Sequence, residues 1–420
     1  MEVYDLTGTR EMVSMEKANE IAKVIEENAA TLRNVIFRTK TYSPEVAAVI
    51  AAALAKATHL ESLDLSDTLS GLPFDDAQQT FEAFANGIKD LHLKYLDLSD
   101  NALGPGGFTS CKGLIEGKKD LETLLLNNVG MSKESCKILS QFAKNTAPMS
   151  IKRLELYNNM SGDEGAIAIA EVIACCPHLE VFRWASNRSN EEGARALCTS
   201  LQQCHAIHRL EFKDNYFGKS GGEFLSQALV EMPQLSELVL ADLMIEEEGL
   251  IPVFRTLQTN EIRLRILNVS LNCMSSEALE ALMAILPEQT ALEELDVGGN
   301  YFGSLSCCRL VKALDDCCPK LRRLVLSQNE IGSRAAELIV KMCDILVCLP
   351  LGGLHPTKKR GHGVSRDGRK PHRRRNDGGH PRPSGGDEQD GAPDGDGQQR
   401  LRRVRRRRRA GRVPLSFLAV

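Results

Sequence analysis

Residues Leu179 to Ala206 read LEVFRWASNRSNEEGARALCTSLQQCHA, and the rest of the chain repeats the spacing of this stretch. Phe182 and Trp184 lie two residues apart, so in a strand they would share one face. Leu179 precedes them by three residues, and Asn187 follows Trp184 by three. This spacing is typical of a leucine-rich repeat.

The second half of each copy has helical spacing. In the neighbouring copy, apolar residues recur at i, i+3, i+4 and i+7, which places them on one side of a helix. They are Ala166, Ile169, Ala170 and Ile173. The acidic residues of the segment 162–164 precede this helix, where they complement the helix dipole. Each copy therefore predicts one strand, one turn and one helix.

Eleven copies can be placed along the chain, most of them 28 or 29 residues apart. They begin at Leu32, Leu60, Leu93, Leu121, Ile151, Leu179, Ile207, Leu235, Leu264, Leu292 and Leu321. A period of this length with a helix in each copy is typical of ribonuclease-inhibitor-type repeats. The predicted fold class is α/β, a leucine-rich-repeat solenoid with an inner parallel sheet and outer helices.

The repeats divide the chain into three parts. Residues 1–31 are predicted to form a partial repeat that caps the first layer, with a helix over Met15 to Asn28. Residues 32–348 are predicted to form the solenoid of about eleven repeats. Residues 349–420 are rich in Gly and Arg and are predicted to be disordered.

Three interpretations of the carboxyl-terminal part stay open. The run formed by Arg403 and Arg405 to Arg409 is typical of a nuclear-localisation or nucleic-acid-binding arm. The segment could equally be a solvated low-complexity end. The third interpretation is a reading frame that changes near residue 345, and we favour it because the break interrupts a repeat.

Charge divides the chain in the same way. Residues 351–420 contain 19 Lys and Arg against 7 Asp and Glu, a net charge of +12, so the total of −4 leaves −16 for the preceding residues. An acidic solenoid favours a partner with a basic face and argues against nucleic acid, except through the tail. No signal peptide and no membrane-spanning segment are expected.

The cysteines predict neither a metal site nor disulfides. The chain has 13 of them, and three pairs are adjacent in sequence: Cys175–Cys176, Cys307–Cys308 and Cys317–Cys318. Zinc ligands are separated by intervening residues, so we expect small helix residues and reduced thiols. No cofactor is predicted either, and we find no active site of an enzyme.

An asparagine recurs three residues after the strand in seven copies and is predicted to bond to the backbone of the turn. These residues are Asn101, Asn159, Asn187, Asn215, Asn272, Asn300 and Asn329. The equivalent positions in the other copies are Lys40, Thr68, Val129 and Leu243. The step from Leu60 to Leu93 is longer, at 33 residues, and predicts either an inserted turn that binds a partner or a longer helix.

Strand residues between the two apolar positions are expected to face the inner curve of the solenoid. In six copies they are Asp64, Asp97, Glu155, Arg183, Glu211 and Asp296, five of them acidic. The pattern predicts an acidic concave surface for a protein partner. A solvated face without a partner is the alternative.

Three segments carry a family resemblance. LKYLDLSDNALGPGG (93–107), LYNNMSGDEGAIAIAEVI (156–173) and LEVFRWASNRSNEEGARAL (179–197) resemble repeats of Ran GTPase-activating proteins, most closely those of plants. The resemblance covers about residues 30–345, and the amino-terminal targeting domain of the plant members is missing from it. The resemblance implies that the chain binds the GTP form of Ran, together with Ran-binding proteins. The implied location is the cytoplasm, and a perinuclear or nuclear location is the alternative.

The resemblance also implies a mechanism and a site. The family is thought to speed hydrolysis by ordering the glutamine of the GTPase and the attacking water. Asn128 matches the family's active-site asparagine, and a locally bonded turn asparagine is the alternative. Partner contacts are expected from Lys40, Asp67, Asp97, Asp100, Asn127, Glu155 and Asn158.

One position departs from the family. An arginine follows the glycine of the inserted turn in the family, whereas here Leu72 follows Gly71. Leucine cannot pair with a phosphate or a carboxylate. Either the chain is a weak or inactive activator, or Arg38 or Lys40 compensates. The alternative function is a repeat scaffold or inhibitor without GTPase-activating activity.

Overall fold

The structure, a computed structural model, describes residues 1–342 as a curved stack of strand–turn–helix units. Twelve parallel strands form one continuous sheet in sequence order, apart from two short strands that pair with each other. Within the described residues the strands are β1 (Val3–Asp5), β2 (Glu11–Met12), β3 (Asn34–Ile36), β4 (Lys40–Thr41), β5 (Ser62–Asp64), β6 (Tyr95–Asp97), β7 (Thr123–Leu125), β8 (Arg153–Tyr157), β9 (Val181–Ala185), β10 (Arg209–Lys213), β11 (Glu237–Ala241), β12 (Ile266–Asn268), β13 (Glu294–Asp296) and β14 (Arg323–Val325).

A helix follows nearly every strand and covers one side of the sheet. The helices of residues 1–342 are α1 (Met15–Asn28), α2 (Pro44–Leu54), α3 (Phe74–Ile88), α4 (Gly104–Ser110), α5 (Lys112–Ile115), α6 (Lys133–Thr146), α7 (Gly162–Ala174), α8 (Glu191–Leu201), α9 (Gly218–Leu229), α10 (Glu246–Thr259), α11 (Ser276–Ile285), α12 (Gly303–Cys317) and α13 (Ser333–Met342). A 3-10 turn, Leu286–Glu288, extends α11. The predicted α/β leucine-rich-repeat solenoid is confirmed.

The core lies between the sheet and the helices. All eleven residues that were predicted to open a repeat are buried. Strand residues one period apart stack in register, as Leu154, Phe182 and Leu210 do across β8, β9 and β10. Each layer thus buries its apolar side chains against the next layer, and the core runs the length of the solenoid.

The asparagine ladder is confirmed as a structural element. Asn300 is typical: its Oδ1 accepts from the backbone N–H of Asn272 and Met274 at 3.0 and 3.1 Å. Its Nδ2 donates to the carbonyl oxygens of Val269 and Val297, both at 3.0 Å. All seven ladder asparagines are buried, so each replaces water as the partner of turn backbone that would otherwise be unpaired.

The amino-terminal segment adds a layer to the sheet. The predicted helix over Met15–Asn28 is confirmed as α1, and Ser14 caps it by accepting from the backbone N–H of Lys17. The sequence did not predict β1, which pairs in parallel with β3. Its three residues, VYD, carry no pair of leucines that would identify a strand of the repeat.

In the long second step both the turn and the helix are longer, and the binding of a partner by this turn stays a prediction. Six positions separate Thr68 from the start of α3, against three from Asn159 to the start of α7. Helix α3 has 15 residues and α7 has 13. The additional five residues therefore lengthen the turn by three and the helix by two.

The described cysteines carry no disulfide. Cys307 is a buried helix residue, as predicted, whereas the buried Cys176 and Cys318 lie just after the ends of α7 and α12. The sequence neighbours of these three cysteines are partly exposed. Burial raises the pKa of the Cys307 and Cys318 thiols to about 11, which keeps them protonated at neutral pH. The described residues contain no cluster of three or more metal-ligating side chains and no helix that could span a membrane. The tail predicted over 349–420 lies outside these residues.

Candidate functional site

One residue of each repeat lies at the edge of the solenoid with a left-handed backbone. It immediately precedes the ladder position, and its φ lies between 51° and 70° in all eleven repeats. We call this set the rim row: Thr39, Asp67, Asp100, Asn128, Asn158, Ser186, Asp214, Asp242, Leu271, Gly299 and Gln328. Asn and Asp tolerate this conformation better than most residues do, so their frequency in the rim row has a backbone cause.

The left-handed conformation gives the predicted site residue Asn128 a local structural cause. Asn128 has a φ of 56° and donates its backbone N–H to the carbonyl oxygen of Tyr157. The left-handed turn favours the residue type. Leu271 holds the same backbone in a later repeat, so the turn does not demand a carboxamide.

The structure brings three of the predicted site residues into one hydrogen-bonded chain. The Nδ2 of Asn128 donates to Oδ1 of Asp100 at 2.9 Å, and Nδ2 of Asn158 donates to Oδ1 of Asn128 at 2.9 Å. All three side chains are exposed. A carboxamide has two N–H groups and two acceptor lone pairs, so Asn128 is oriented by its neighbours and keeps hydrogen-bonding capacity for a partner.

Asp67 belongs to the same rim row but has a different partner. Its carboxylate forms an ion pair with Arg10, a half-exposed residue of the amino-terminal segment. An ion pair this open to solvent contributes little to stability. A partner can therefore displace Arg10 at small cost and reach the carboxylate of Asp67.

Lys40 does not offer a free ammonium group, which corrects its prediction as a partner contact. The residue is 7% exposed. Its Nζ donates to the carbonyl oxygen of Thr9 at 2.6 Å and lies 3.0 Å from a carboxylate oxygen of Glu11. Lys40 therefore connects the amino-terminal segment to the first repeat, at a ladder position that has no asparagine.

Leu72 stands where the resemblance leads one to expect an arginine, and the two basic residues expected to compensate, Arg38 and Lys40, are both paired. Leu72 is half-buried and packs against the core, and its backbone N–H donates to the carbonyl oxygen of Leu69. Arg38, the other residue expected to compensate, pairs with Asp64 through Nε at 2.9 Å and through a terminal nitrogen at 2.8 Å. Neither Arg38 nor Lys40 stands unpaired.

The concave surface is not uniformly acidic, and this corrects the predicted acidic stripe. Across β8 to β12 its glutamates alternate with arginines that project from neighbouring strands. Arg183, for example, lies 3.7 Å from Glu155 and 3.0 Å from Glu211. The charge ladder consists of Arg153–Glu155, Arg183–Glu155, Arg183–Glu211, Arg209–Glu211, Arg209–Glu237, Arg265–Glu237 and Arg265–Glu293.

Arg153, Arg209 and Arg265 of the charge ladder were missed because only the central position of each strand was considered. Arg153 and Arg209 lie two residues before a glutamate on the same face of their strands, and this spacing could have revealed the pairs. Arg183 also lies over the ring of Tyr157, 4.5 Å from its centre. The mixed charges leave no strong field of one sign in this part of the inner curve.

Three other predicted contacts lie on the concave side of the rim. Glu155 is 8% exposed and paired with two arginines, so little of its charge reaches a partner. Asp97 is 9% exposed, and its burial raises the pKa of the carboxyl group above its usual value. Asn127 has a buried Oδ1 without a hydrogen-bond partner, the one such side-chain atom found in the described part of the chain.

The period, the sheet and the family match together define a leucine-rich-repeat protein. Residues 89–109, 264–283 and 317–340 match the family model described as Leucine Rich repeat. A solved leucine-rich-repeat protein of Leptospira interrogans aligns with 81% of this chain and 99% of its own, at 15% identity and a TM-score of 0.39. A TM-score this low carries no weight beyond the fold already described.

Curated relatives include Ran GTPase-activating proteins and ribonuclease inhibitors. RAN GTPase-activating protein 1 of Arabidopsis thaliana is 31% identical over 125 residues, 29% of this chain and 23% of the relative. The ribonuclease inhibitor of Sus scrofa is 27% identical over 252 residues, 55% of this chain and 50% of the relative. The chain thus spans at most about half the length of either relative.

Proposed function

We propose that the chain is a GTPase-activating protein for the small GTPase Ran and that it engages the GTP form through the rim row of repeats two to five. The observation that carries the proposal is the exposed hydrogen-bonded chain of Asp100, Asn128 and Asn158. The similarity to Ran GTPase-activating proteins supports it. A Ran-binding protein would share the complex, and the expected location is the cytoplasm or the nuclear periphery.

Asn128 is the residue best arranged to act on a partner. Its neighbours hold the carboxamide on both sides, so little side-chain entropy is lost when it binds the switch region of the GTPase. From there it would orient the catalytic glutamine of the GTPase, which positions the attacking water. The paired states of Arg38 and Lys40 favour this positioning role over the supply of a positive charge.

The test is the rate of GTP hydrolysis by Ran with the full chain in substoichiometric amount. We expect acceleration by the unmodified protein and a loss of roughly 100-fold for Asn128→Ala, as for other residues that act mainly in the transition state. Gln328→Ala is the matched control, because Gln328 is an exposed rim-row residue far along the chain. An unaccelerated rate with the unmodified chain would refute the proposal.

Leu72→Arg is a further arm of the same assay. The variant restores the charge that the resemblance leads one to expect after Gly71. A faster rate would show that a missing positive charge limits activation, and an unchanged rate would show that Asn128 and its neighbours suffice. The amount of folded variant must be matched first, because Leu72 packs against the core.

A second candidate is a binding inhibitor or scaffold that leaves turnover unchanged. The charge ladder along β8 to β12 favours it, because alternating charges give register to a protein complex. The similarity to ribonuclease inhibitor supports it as well. Binding of Ran without any change in hydrolysis, or no binding of Ran at all, would favour this candidate.

A further inference from the structure

The concave sheet carries an open pocket of about 210 Å³ over β11 to β14, far along the chain from Asn128. Its floor is apolar, formed by Val239, Ile266 and Val325. Small-molecule sites generally start at about 300 Å³, so this pocket is of a size for one long side chain. Its location and lining are independent of the rim row and of the proposed GTPase-activating function.

The register of the strands explains why the floor is apolar and the walls are charged. Ile266 of β12 lies between Glu237 of β11 and Glu294 of β13. Two residues further along these strands, Asn268 of β12 pairs with Val239 of β11 on one side and with Asp296 of β13 on the other. Asp296 in turn pairs with Val325 of β14. The strip of apolar side chains is therefore bordered by carboxylates on neighbouring strands, and Arg209 and Arg323 also line the pocket.

The carboxylates of the pocket differ in their partners. Glu237 pairs with Arg209 and Arg265, and Glu294 pairs with Arg323 at 3.2 Å. Asp296 has no basic side chain within ion-pair distance in the described part of the protein; its Oδ1 accepts from the N–H of Gly298 and its Oδ2 from Nδ2 of Asn268. The negative charge of Asp296 thus has no direct ion-pair partner, and Arg323 and Lys213 act on it only from a greater distance.

Asp296 is also poorly solvated. Its partial burial raises the pKa of the carboxyl group, which shows that water compensates this charge less well than it does for an open aspartate. A cation brought next to Asp296 would form an ion pair in a partly dry site, where the attraction is stronger than at an open surface. Asp97, the other concave aspartate with a raised pKa, does not line this pocket.

We propose that this pocket is an anchor site for one arginine or lysine side chain of a protein partner. The alkyl part of the side chain would lie on Ile266 and its apolar neighbours, and the charged end would reach Asp296. The chemistry of both halves is matched: an apolar stem on an apolar floor, and a cation on the unpaired carboxylate. The two flanking glutamates are already paired and would exclude a second anion.

The experiment uses the full chain with ¹³C-labelled isoleucine and valine methyl groups and two small probes. n-Butylguanidinium has the stem and the charge of an arginine side chain, and n-butylurea has nearly the same shape without the charge. We expect n-butylguanidinium to shift the methyl signals of Ile266, Val239 and Val325 with a Kd on the order of 1 mM, and n-butylurea to bind at least 10-fold more weakly. Equal binding of the two probes would overturn the proposal.

Substitutions assign the effect to the pocket. Asp296→Asn keeps an acceptor for the N–H of Gly298 and should remove the preference for the charged probe, whereas Asp97→Asn should leave it unchanged. Ile266→Thr keeps a branched side chain but makes the floor more polar, so both probes should bind more weakly. The methyl signals of Val239 and Val325 measure this binding. A preference for n-butylguanidinium that survives Asp296→Asn would contradict the assignment.

An arginine of the chain itself is the other occupant of the pocket that the experiment must distinguish from a partner's side chain. In the full chain without any probe, serine substitution of Arg405 to Arg409 should leave the methyl signals of Ile266 unchanged. A shift of these signals would show that the pocket is filled from within the chain, and it would overturn the assignment to a partner.

Discussion

Asn158 and Asn159 are neighbours in sequence and chemically identical, but they belong to two different rows of the solenoid. Asn159 is buried; its Oδ1 accepts from the N–H groups of Val129 and Met131 at 3.0 and 3.1 Å. Asn158 is exposed and donates to a side chain in the preceding repeat. The ladder asparagines complete the backbone hydrogen bonds, while the rim-row residues keep hydrogen-bonding groups at the surface.

The comparison shows that residue type alone does not separate structure from function in this chain. Both rows favour asparagine for a backbone reason, the ladder through its hydrogen bonds and the rim row through its left-handed φ. Burial and the identity of the hydrogen-bond partners distinguish the rows. The following predictions test whether the distinction holds energetically.

The largest effect is expected from the ladder. Asn159→Ala should destabilise the protein by roughly 3 kcal/mol, because it leaves several buried backbone groups without partners. Asn158→Gly, in the rim row, should cost no more than about 0.5 kcal/mol, since glycine adopts the left-handed backbone. Urea unfolding of both variants measures the difference, and equal destabilisation would contradict the division into two rows.

A buried lysine outside the ladder should show the second largest effect. Lys118 donates its Nζ to the carbonyl oxygens of Ile88, Lys89 and Leu91 at 2.6 to 2.7 Å, which completes the carboxyl end of α3. Burial lowers its pKa to about 8, so the group is charged at neutral pH. Lys118→Met should therefore cost about 2 kcal/mol.

Lys119→Met is the control for this variant, because Lys119 is exposed and adjacent in sequence. It should change the midpoint of urea unfolding very little. Similar midpoints for the two variants would show that the carbonyl groups at the end of α3 find water as a substitute. Completion of backbone hydrogen bonds would then matter less outside the ladder than within it.

The rim row itself should respond to backbone strain rather than to the loss of the carboxamide. Asn128→Ala puts alanine, which has no polar side chain to bond locally, in a left-handed conformation. It should lower the free energy of unfolding by about 1 kcal/mol. Asn128→Gly should leave stability within about 0.5 kcal/mol of the original. Thermal unfolding compares them; a large loss for the glycine variant would assign the carboxamide a structural role.

The same two variants also separate stability from activity. Both lack the carboxamide, so both should lose the acceleration of GTP hydrolysis by Ran if Asn128 acts as proposed. Retained acceleration with Asn128→Gly would exclude the carboxamide from the mechanism, even if the protein remained an activator.

The smallest effect concerns pH and the concave aspartate Asp97. Burial holds the pKa of Asp97 above its usual value near 3.8, so the folded state disfavours the ionised form. The stability contributed by this group is fully present below pH 3.8 and is lost as the pH rises through the raised pKa. Asp97→Asn should therefore be slightly more stable than the original at pH 7. This gap between the two free energies of unfolding should close towards pH 4.

Urea unfolding at several pH values checks this expectation. The exposed Asp315→Asn is the control and should show no gap that depends on pH in this way. A gap for Asp97→Asn that widens at low pH would mean that the ionised carboxylate stabilises the inner curve, and it would restore part of the predicted acidic surface.

Features repeated along the chain could be predicted from the sequence. The repeat starts, the helix over Met15–Asn28 and the ladder asparagines each follow from spacing within one or two periods. The environments of Lys40 and Arg38 could not be predicted in this way, because their partners Glu11 and Asp64 come from different layers. The sequence pattern within one repeat does not indicate which side chain of the adjacent repeat forms an ion pair with it.

The candidate site was predicted in part for the same reason. The resemblance to Ran GTPase-activating proteins placed Asp100 and Asn128 on the rim, and the structure joins them through a hydrogen bond. The concave charges were mistaken because a strand presents several residues to the inner curve, and only one of them was considered. Glu155 is acidic by itself, but with Arg153 and Arg183 it belongs to a balanced group.

The regular left-handed residue at the edge of each repeat has a consequence for how such a protein diversifies. Asp, Asn, Ser, Thr, Gln, Leu and Gly all occupy this place in one chain, with the same left-handed backbone. A mutation there exchanges the surface chemistry of one coil and reaches the adjacent coils only through side-chain contacts along the rim, such as those between Asp100, Asn128 and Asn158. Selection can therefore alter which molecules the edge recognises one coil at a time, while the foldable framework is inherited unchanged.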